Sequence, residues 1–297
     1  MEQAVTTDTD SARNQCAVAL SGATRGGRLR RRARRSALLA TLGLLATGPA
    51  VAAEYQPEPY QSGKDVVWVP SSEALVNAML DMAKLGPQDY LVDLGSGDGI
   101  TVITAARRGA RALGIEFNPD LVALSRRNAE KAGVAARASF VQGDIFASDF
   151  SSATVVSLFL LQELNLRLRP TLLAMKPGTR IVSNTFDMGE WQPDETTTRA
   201  PDCTSFCTAY RWTVPAQVAG TWRLGAGELA LAQSFQVLDG SLELGGGRLP
   251  LTDARLDGAR IRFTAGGRRY VGEVDGDSMQ GTADDGRPWR ATRAPGR

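Results

Sequence analysis

From Val69 onward the apolar positions switch between two repeats. In SSEALVNAMLDMAKLG, residues Leu75, Ala78, Met79, Met82 and Leu85 recur at helical spacing, Ser71 or Ser72 stands where an N-cap belongs, and Gly86-Pro87 supplies the stop. The runs YLVDL, ALGIEF, ASFVQ, TVVSLFL and RIVSN are short and apolar and predict buried strands. Between them ITVITAARRG, NPDLVALSRRNAEKAG and QELNLRLRPTLLAM carry helical spacing. Such alternation predicts an α/β fold, a doubly wound parallel sheet with helices on both faces and a ligand site at the carboxyl ends of the strands.

From about Val218 the pattern changes again. Asp-Gly recurs at Asp239-Gly240, Asp257-Gly258 and Asp275-Gly276, a spacing of 18 residues between short alternating runs. Asp-Gly in that setting signals hairpin turns, so residues 218–297 are expected to form a small antiparallel β domain, a meander or half-barrel, with Trp222 of GTWRL plugging one end. The α/β domain is expected over residues 54–217.

The first 53 residues follow neither repeat. Arg25, Arg28, Arg30, Arg31, Arg32, Arg34 and Arg35 precede ALLATLGLLATGPAVAA, an apolar run ending in small residues, which is the layout of a signal peptide. Its strongly apolar part, Ala37 to Ala46, is short for a membrane span, so removal after Ala52 or Ala53 is expected over permanent anchoring. The leader predicts an exported or cell-envelope protein whose N-terminal segment lies near a membrane; a cytoplasmic protein with a basic leader is the alternative. Its removal takes eight of the 34 basic and three of the 32 acidic residues, leaving a net charge near −3. The remainder carries no nucleic-acid footprint.

Histidine is absent from the chain, which excludes Ser/His/Asp and Cys/His catalysis and every metal site that needs imidazole. Of the three cysteines, Cys16 belongs to the leader. Cys203 and Cys207 would stand about 13 Å apart in a strand, whereas in a turn they meet. The aromatic and β-branched FCTAYRWTV favours the strand, so two unpaired thiols are expected.

The stretch VDLGSGDG carries the chemistry. Gly95, Ser96, Gly97, Asp98 and Gly99 form a turn between the first strand and its helix, where glycine lets the backbone approach a ligand closely. Asp93 and Asp98 would repel a pyrophosphate, and the GK[ST] ending of a phosphate loop is missing. S-adenosylmethionine has no phosphate and carries an ammonium and a sulfonium, which carboxylates favour. Glu116 ends the second strand about 20 residues past the glycines and suits a carboxylate that accepts both ribose hydroxyls. Asp144 follows the third strand, placed to accept from the adenine amine, with Ile145 against the ring face.

Residues 69 to about 192 resemble the class I, seven-strand S-adenosylmethionine-dependent methyltransferases, with VDLGSGDG, GIEFNPDL and QGDIF standing where that family keeps its cofactor motifs. More narrowly, VPSS before the first helix, LGSGDG, IEFNP, GD and RIVSN together are similar to a group of small protein-lysine methyltransferases that act on mitochondrial inner-membrane proteins. They are similar, more distantly, to the non-SET histone lysine methyltransferases. The resemblance implies a Rossmann-like sheet and a cofactor site lined by Asp93, Gly95, Gly97, Glu116 and Asp144, with Val69, Pro70 and Ser71 on its rim. It also implies that ETTTRA and CTSFCTAYRWTV form an antiparallel hairpin closing the sheet.

Where amide-nitrogen and adenine methyltransferases show an NPPY-type motif, this chain has LFLLQEL, which argues against side-chain amides and DNA adenine as acceptors. Methyl transfer needs an aligned, unprotonated nucleophile, and an apolar channel that lowers the pKa of a lysine amine supplies this without a dedicated base. Trp68, Phe159, Gln162, Glu163 and Asn184 are the acceptor-side candidates, and a protein lysine is the preferred substrate. A small-molecule methyltransferase and a non-catalytic envelope protein built on the same scaffold are the competing readings.

Overall fold

The computed structural model describes residues 55–201 and 203–295, so the leader expected over residues 1–53 lies outside the described residues. Helix α1 spans Glu73–Met82, capped by Ser72, whose Oγ accepts from Leu75 N at 3.2 Å. The chain then alternates through β1 (Tyr90–Leu94), α2 (Ile100–Arg107), β2 (Arg111–Glu116), α3 (Pro119–Lys131) and β3 (Ala138–Gln142). It continues through β4 (Val155–Leu158), α4 (Gln162–Leu173) and β5 (Arg180–Asn184). Asn118 caps α3 by accepting from Asp120 N, and Pro119 fits its first turn because no intrahelical N–H is lost there.

The sheet runs β3-β2-β1-β4-β5 in parallel; β7 (Ala209–Thr213) pairs antiparallel with β5, and β6 (Glu195–Thr197) with β7. Successive strand residues feed opposite faces, as the two-residue period requires. Leu91, Val155 and Val182 pack with Leu75, Leu80 and Val102 of α1 and α2, while their neighbours Val92, Val156 and Ile181 pack with Leu168 and Leu172 of α4. The expected antiparallel closure of the sheet is present, but of the expected strand CTSFCTAYRWTV only Ala209–Thr213 is strand, and residues 203–208 are irregular.

Cys203 and Cys207 are joined in a disulfide, their Cα atoms 5.7 Å apart. This corrects the expectation of two unpaired thiols. The aromatic and β-branched content that favoured a strand belongs to residues 209–213, and Phe206, at φ +55°, turns the chain between the cysteines.

Residues 220–293 form eight antiparallel strands: β8 (Gly220–Leu224), β9 (Gly227–Ser234), β10 (Val237–Leu244), β11 (Gly247–Asp257), β12 (Arg260–Ala265), β13 (Arg268–Asp275), β14 (Ser278–Ala283) and β15 (Pro288–Arg293). Because β15 pairs with β8, they close into a barrel, where a meander or half-barrel was expected. Closure removes both free edges. Trp222, Phe263, Met279 and Ala291 are buried within it, with Tyr270 stacked 4.8 Å from Phe263, so side chains fill the interior, as an eight-strand diameter allows. Trp222 is fully buried and donates from Nε1 to Val218 O at 2.8 Å.

Two of the three Asp-Gly pairs lie at hairpin turns, but Asp239-Gly240 lies inside β10. Gly240 has φ +146° beside a register shift, and a Cβ there would sit 1.9 Å from Ala230 O. That glycine bends a strand instead of turning a hairpin. The barrel joins the α/β part at the amino end of β5 and along its flank. Ala216 N donates to Gly258 O, Gln236 Nε2 to Gln192 O at 2.7 Å, and Arg255 pairs with Asp194 at 2.7 Å.

Candidate functional site

Strand β1 sits where the winding of the sheet reverses, between β2 and β4, and a cavity opens there at the carboxyl ends of the strands. Asp93, Gly95, Ser96, Gly97, Asp98, Glu116, Asp144 and Ile145 line it, as do Val69 and Ser71. Pro70 is exposed and Gly99 lies behind the turn; neither lines the cavity. A Cβ on Gly99 would meet Phe140 and Ser125 at 2.8 Å, so that glycine serves helix-to-sheet packing, while one on Gly97 would meet the Trp68 indole nitrogen at 2.7 Å.

The carboxylates are held in distinct ways. Asp93 is buried and accepts from Ser157 Oγ at 2.5 Å, a contact set by the register that pairs the two residues. Burial, with Glu116 and Asp98 adding repulsion, pushes the Asp93 carboxyl up to about 7 against the Ser157 hydrogen bond. Burial also raises the Asp98 carboxyl. Glu116 accepts from Gly97 N and from Asn118 N, each at 2.9 Å, so one side chain ties the glycine turn to the end of β2.

The chain ahead of α1 folds across the cavity. Tyr60 N donates to Trp68 O and Trp68 N to Gln61 O, and residues 60–69 form one wall. From this strap Lys64 reaches Asp144 Oδ2 at 2.6 Å and stands 5.0 Å from the centre of the Phe117 ring. The Lys64 ammonium, with Phe146 N, holds the Asp144 carboxyl below its ordinary value.

Of the acceptor-side candidates, Trp68 and Phe159 line the cavity. Gln162 and Glu163 are exposed at the start of α4 and do not; Gln162 Nε2 donates to Asp187 Oδ1 at 2.6 Å. Asn184 is buried behind the wall, its Nδ2 3.5 Å from Ser71 Oγ. The structure adds Lys64, Phe117, Phe186 and Phe206. Phe186 follows RIVSN by two residues, near enough to a strand end for the pattern to have found it, whereas nothing in the local pattern marks Lys64 or Phe206. Among the described residues, no group of three or more His, Cys, Asp or Glu is placed to hold a metal ion.

These residues fit S-adenosylmethionine. Three carboxylates face the loop end of the cavity, and Ser96 Oγ is buried without a hydrogen-bond partner among the described residues.

Comparison with known proteins agrees. Residues 93–195 match the family model for the ANTKMT methyltransferase domain. The chain is 44% identical over 133 residues to a protein-lysine N-methyltransferase of Saccharolobus islandicus (strain REY15A), covering 44% of this chain and 83% of that protein. It is 37% identical over 130 residues to the mouse (Mus musculus) adenine nucleotide translocase lysine N-methyltransferase, covering 43% of this chain and 56% of the mouse protein's length. A solved RNA methyltransferase from Salinibacter ruber, in complex with S-adenosyl-L-homocysteine, is 49% identical over 50% of this chain and 96% of that one, with a TM-score of 0.47. On the archaeal relative, most of whose length it covers, this chain belongs to the class I, S-adenosylmethionine-dependent protein-lysine methyltransferases.

Proposed function

We propose that the protein transfers a methyl group from S-adenosylmethionine to the side-chain amine of a lysine on a protein. One observation carries the reading: a single cavity runs from the glycine turn and its carboxylates to an aromatic wall of Phe159, Phe186 and Phe206. When bound, S-adenosylmethionine supplies an electrophilic methyl group. We assign Asp93 to its ammonium, Glu116 to the ribose hydroxyls, and Asp144 with Ile145 to the adenine. The phenyl wall suits the apolar stem of a lysine, and excluding water beside the amine lowers its pKa, so that the free base is available without a catalytic histidine. Without residues 1–53 the chain would carry a net charge near −3, which favours a protein acceptor over a nucleic acid.

The test is to incubate the protein with isotopically labelled S-adenosylmethionine and a membrane-protein extract of its source cells, then to map label by peptide mass spectrometry. Labelled ε-N-methyllysine that disappears with Glu116→Ala is the expected result. Label confined to compounds that pass a small-molecule filter would favour the small-molecule reading. The arginine-rich, apolar composition of residues 1–53 and the disulfide both support work in an oxidising compartment. Mature protein beginning at residue 53 or 54 is the expected outcome of N-terminal peptide analysis, and an intact leader would count against it.

A further inference from the structure

The aromatic wall has three members, and only two are placed by the sheet. Phe159 follows β4 and Phe186 follows β5, so the carboxyl ends of two parallel strands carry them to the cavity. Phe206 comes from the connection between β6 and β7, beyond residue 195 where the family match ends. Its ring centre lies 5.5 Å from that of Phe159 and 6.5 Å from that of Phe186, and it lines the same cavity as Asp93 and Glu116. Its backbone, at φ +55°, occupies the left-handed region that bulky residues avoid. The Cys203–Cys207 bridge closes directly around it.

We propose that Phe206 is a specificity-determining residue for the methyl acceptor, and that the Cys203–Cys207 disulfide is the positioning element that keeps its ring in the wall. This rests on the lysine reading above. With the bridge closed, five residues are confined to a turn and the unfavourable conformation at position 206 has few alternatives. A dithiol reductant delivers two electrons and two protons, converting the bridge to two thiols while the reductant becomes a disulfide. Phe206 then relaxes out of the left-handed region and the wall loses its third ring. Acceptor recognition is therefore redox-dependent, whereas the cofactor half, built on β1, β2 and the glycine turn, is not.

Calorimetry with two defined probes tests this: S-adenosylhomocysteine, and an analogue in which nitrogen replaces the sulfur and carries a 4-aminobutyl arm into the acceptor side. The arm should tighten binding to the oxidised wild type. Phe206→Ala, the double variant Cys203→Ser with Cys207→Ser, and a phosphine-reduced wild type should each lose about tenfold of that advantage, and Phe206→Leu should restore part of it. Affinity for S-adenosylhomocysteine should stay constant throughout, which certifies the fold. In lysine methylation, the acceptor KM should rise by a similar factor, with kcat changing less. An arm advantage and KM that persist in Phe206→Ala and in the reduced protein overturn the proposal and leave the lysine reading intact. A wild type that binds S-adenosylhomocysteine but methylates no protein lysine overturns that reading, and the proposal with it.

Discussion

Asp93→Asn should stabilise the ligand-free protein above neutral pH while weakening its hold on the cofactor. Burial raises the Asp93 carboxyl from an ordinary 3.8 to about 7, so between these values the folded protein holds a proton that the unfolded chain has released. Stability must then fall as pH rises through that interval, and above it the buried carboxylate remains a standing cost. At about 1.4 kcal/mol per pH unit, the interval from 3.8 to about 7 amounts to roughly 4 kcal/mol. Asparagine keeps the size and an oxygen for the Ser157 hydroxyl but has no charge to bury. Urea unfolding of both proteins at pH 4, 6 and 8, without ligand, should show curves that coincide at the lowest pH and separate toward the highest, the variant being more stable. A difference that does not grow with pH, or a variant less stable at pH 8, would refute the reasoning. With ligand the order reverses: the wild type should bind S-adenosylmethionine more weakly as pH falls below about 7, because protonation removes the charge opposite the ammonium.

Glu116→Ala should weaken S-adenosylhomocysteine binding by about tenfold to a hundredfold in titration calorimetry, since it removes the ribose acceptor and frees Gly97 N and Asn118 N at once. Lys64→Met should tighten the same binding by at most about fivefold, because it releases Asp144 from a partly exposed ion pair; unchanged affinity would mean that Lys64 does not compete for that carboxylate. Trp222→Ala should cost about 3–5 kcal/mol in denaturant unfolding, the result of an unfilled space among Leu229, Phe263 and their neighbours in the barrel.

The parallel sheet was legible because burial on both faces demands apolar neighbours in sequence, Leu91-Val92 in YLVDL and Ile181-Val182 in RIVSN, and the glycine turn had to follow the first. Asp93 and Glu116 could be read for the same reason, since strand ends fix their place. The disulfide could not, because whether residues four apart meet depends on a single turn, and the left-handed backbone at Phe206 leaves no compositional trace. Barrel closure was hidden too. It depends on β15 meeting β8, strands more than 60 residues apart, while the Asp-Gly signal reports only neighbouring strands and at Gly240 marks a bend. Lys64 lay outside any periodic element, and only the folded strap brings it 80 residues along the chain to Asp144.

The barrel's attachment has a mechanical consequence. Ala216 and Gly258 meet at the amino end of β5, the pole of the sheet opposite the cavity mouth. A surface, a scaffold protein or an engineered tether can therefore grip the barrel without shading the opening. With the last strand zipped to the first, a pull on the chain's tail is borne by barrel hydrogen bonds before it reaches the strands that carry Asp93 and Glu116. A tether fixed to the barrel would leave the opposite pole of the sheet accessible.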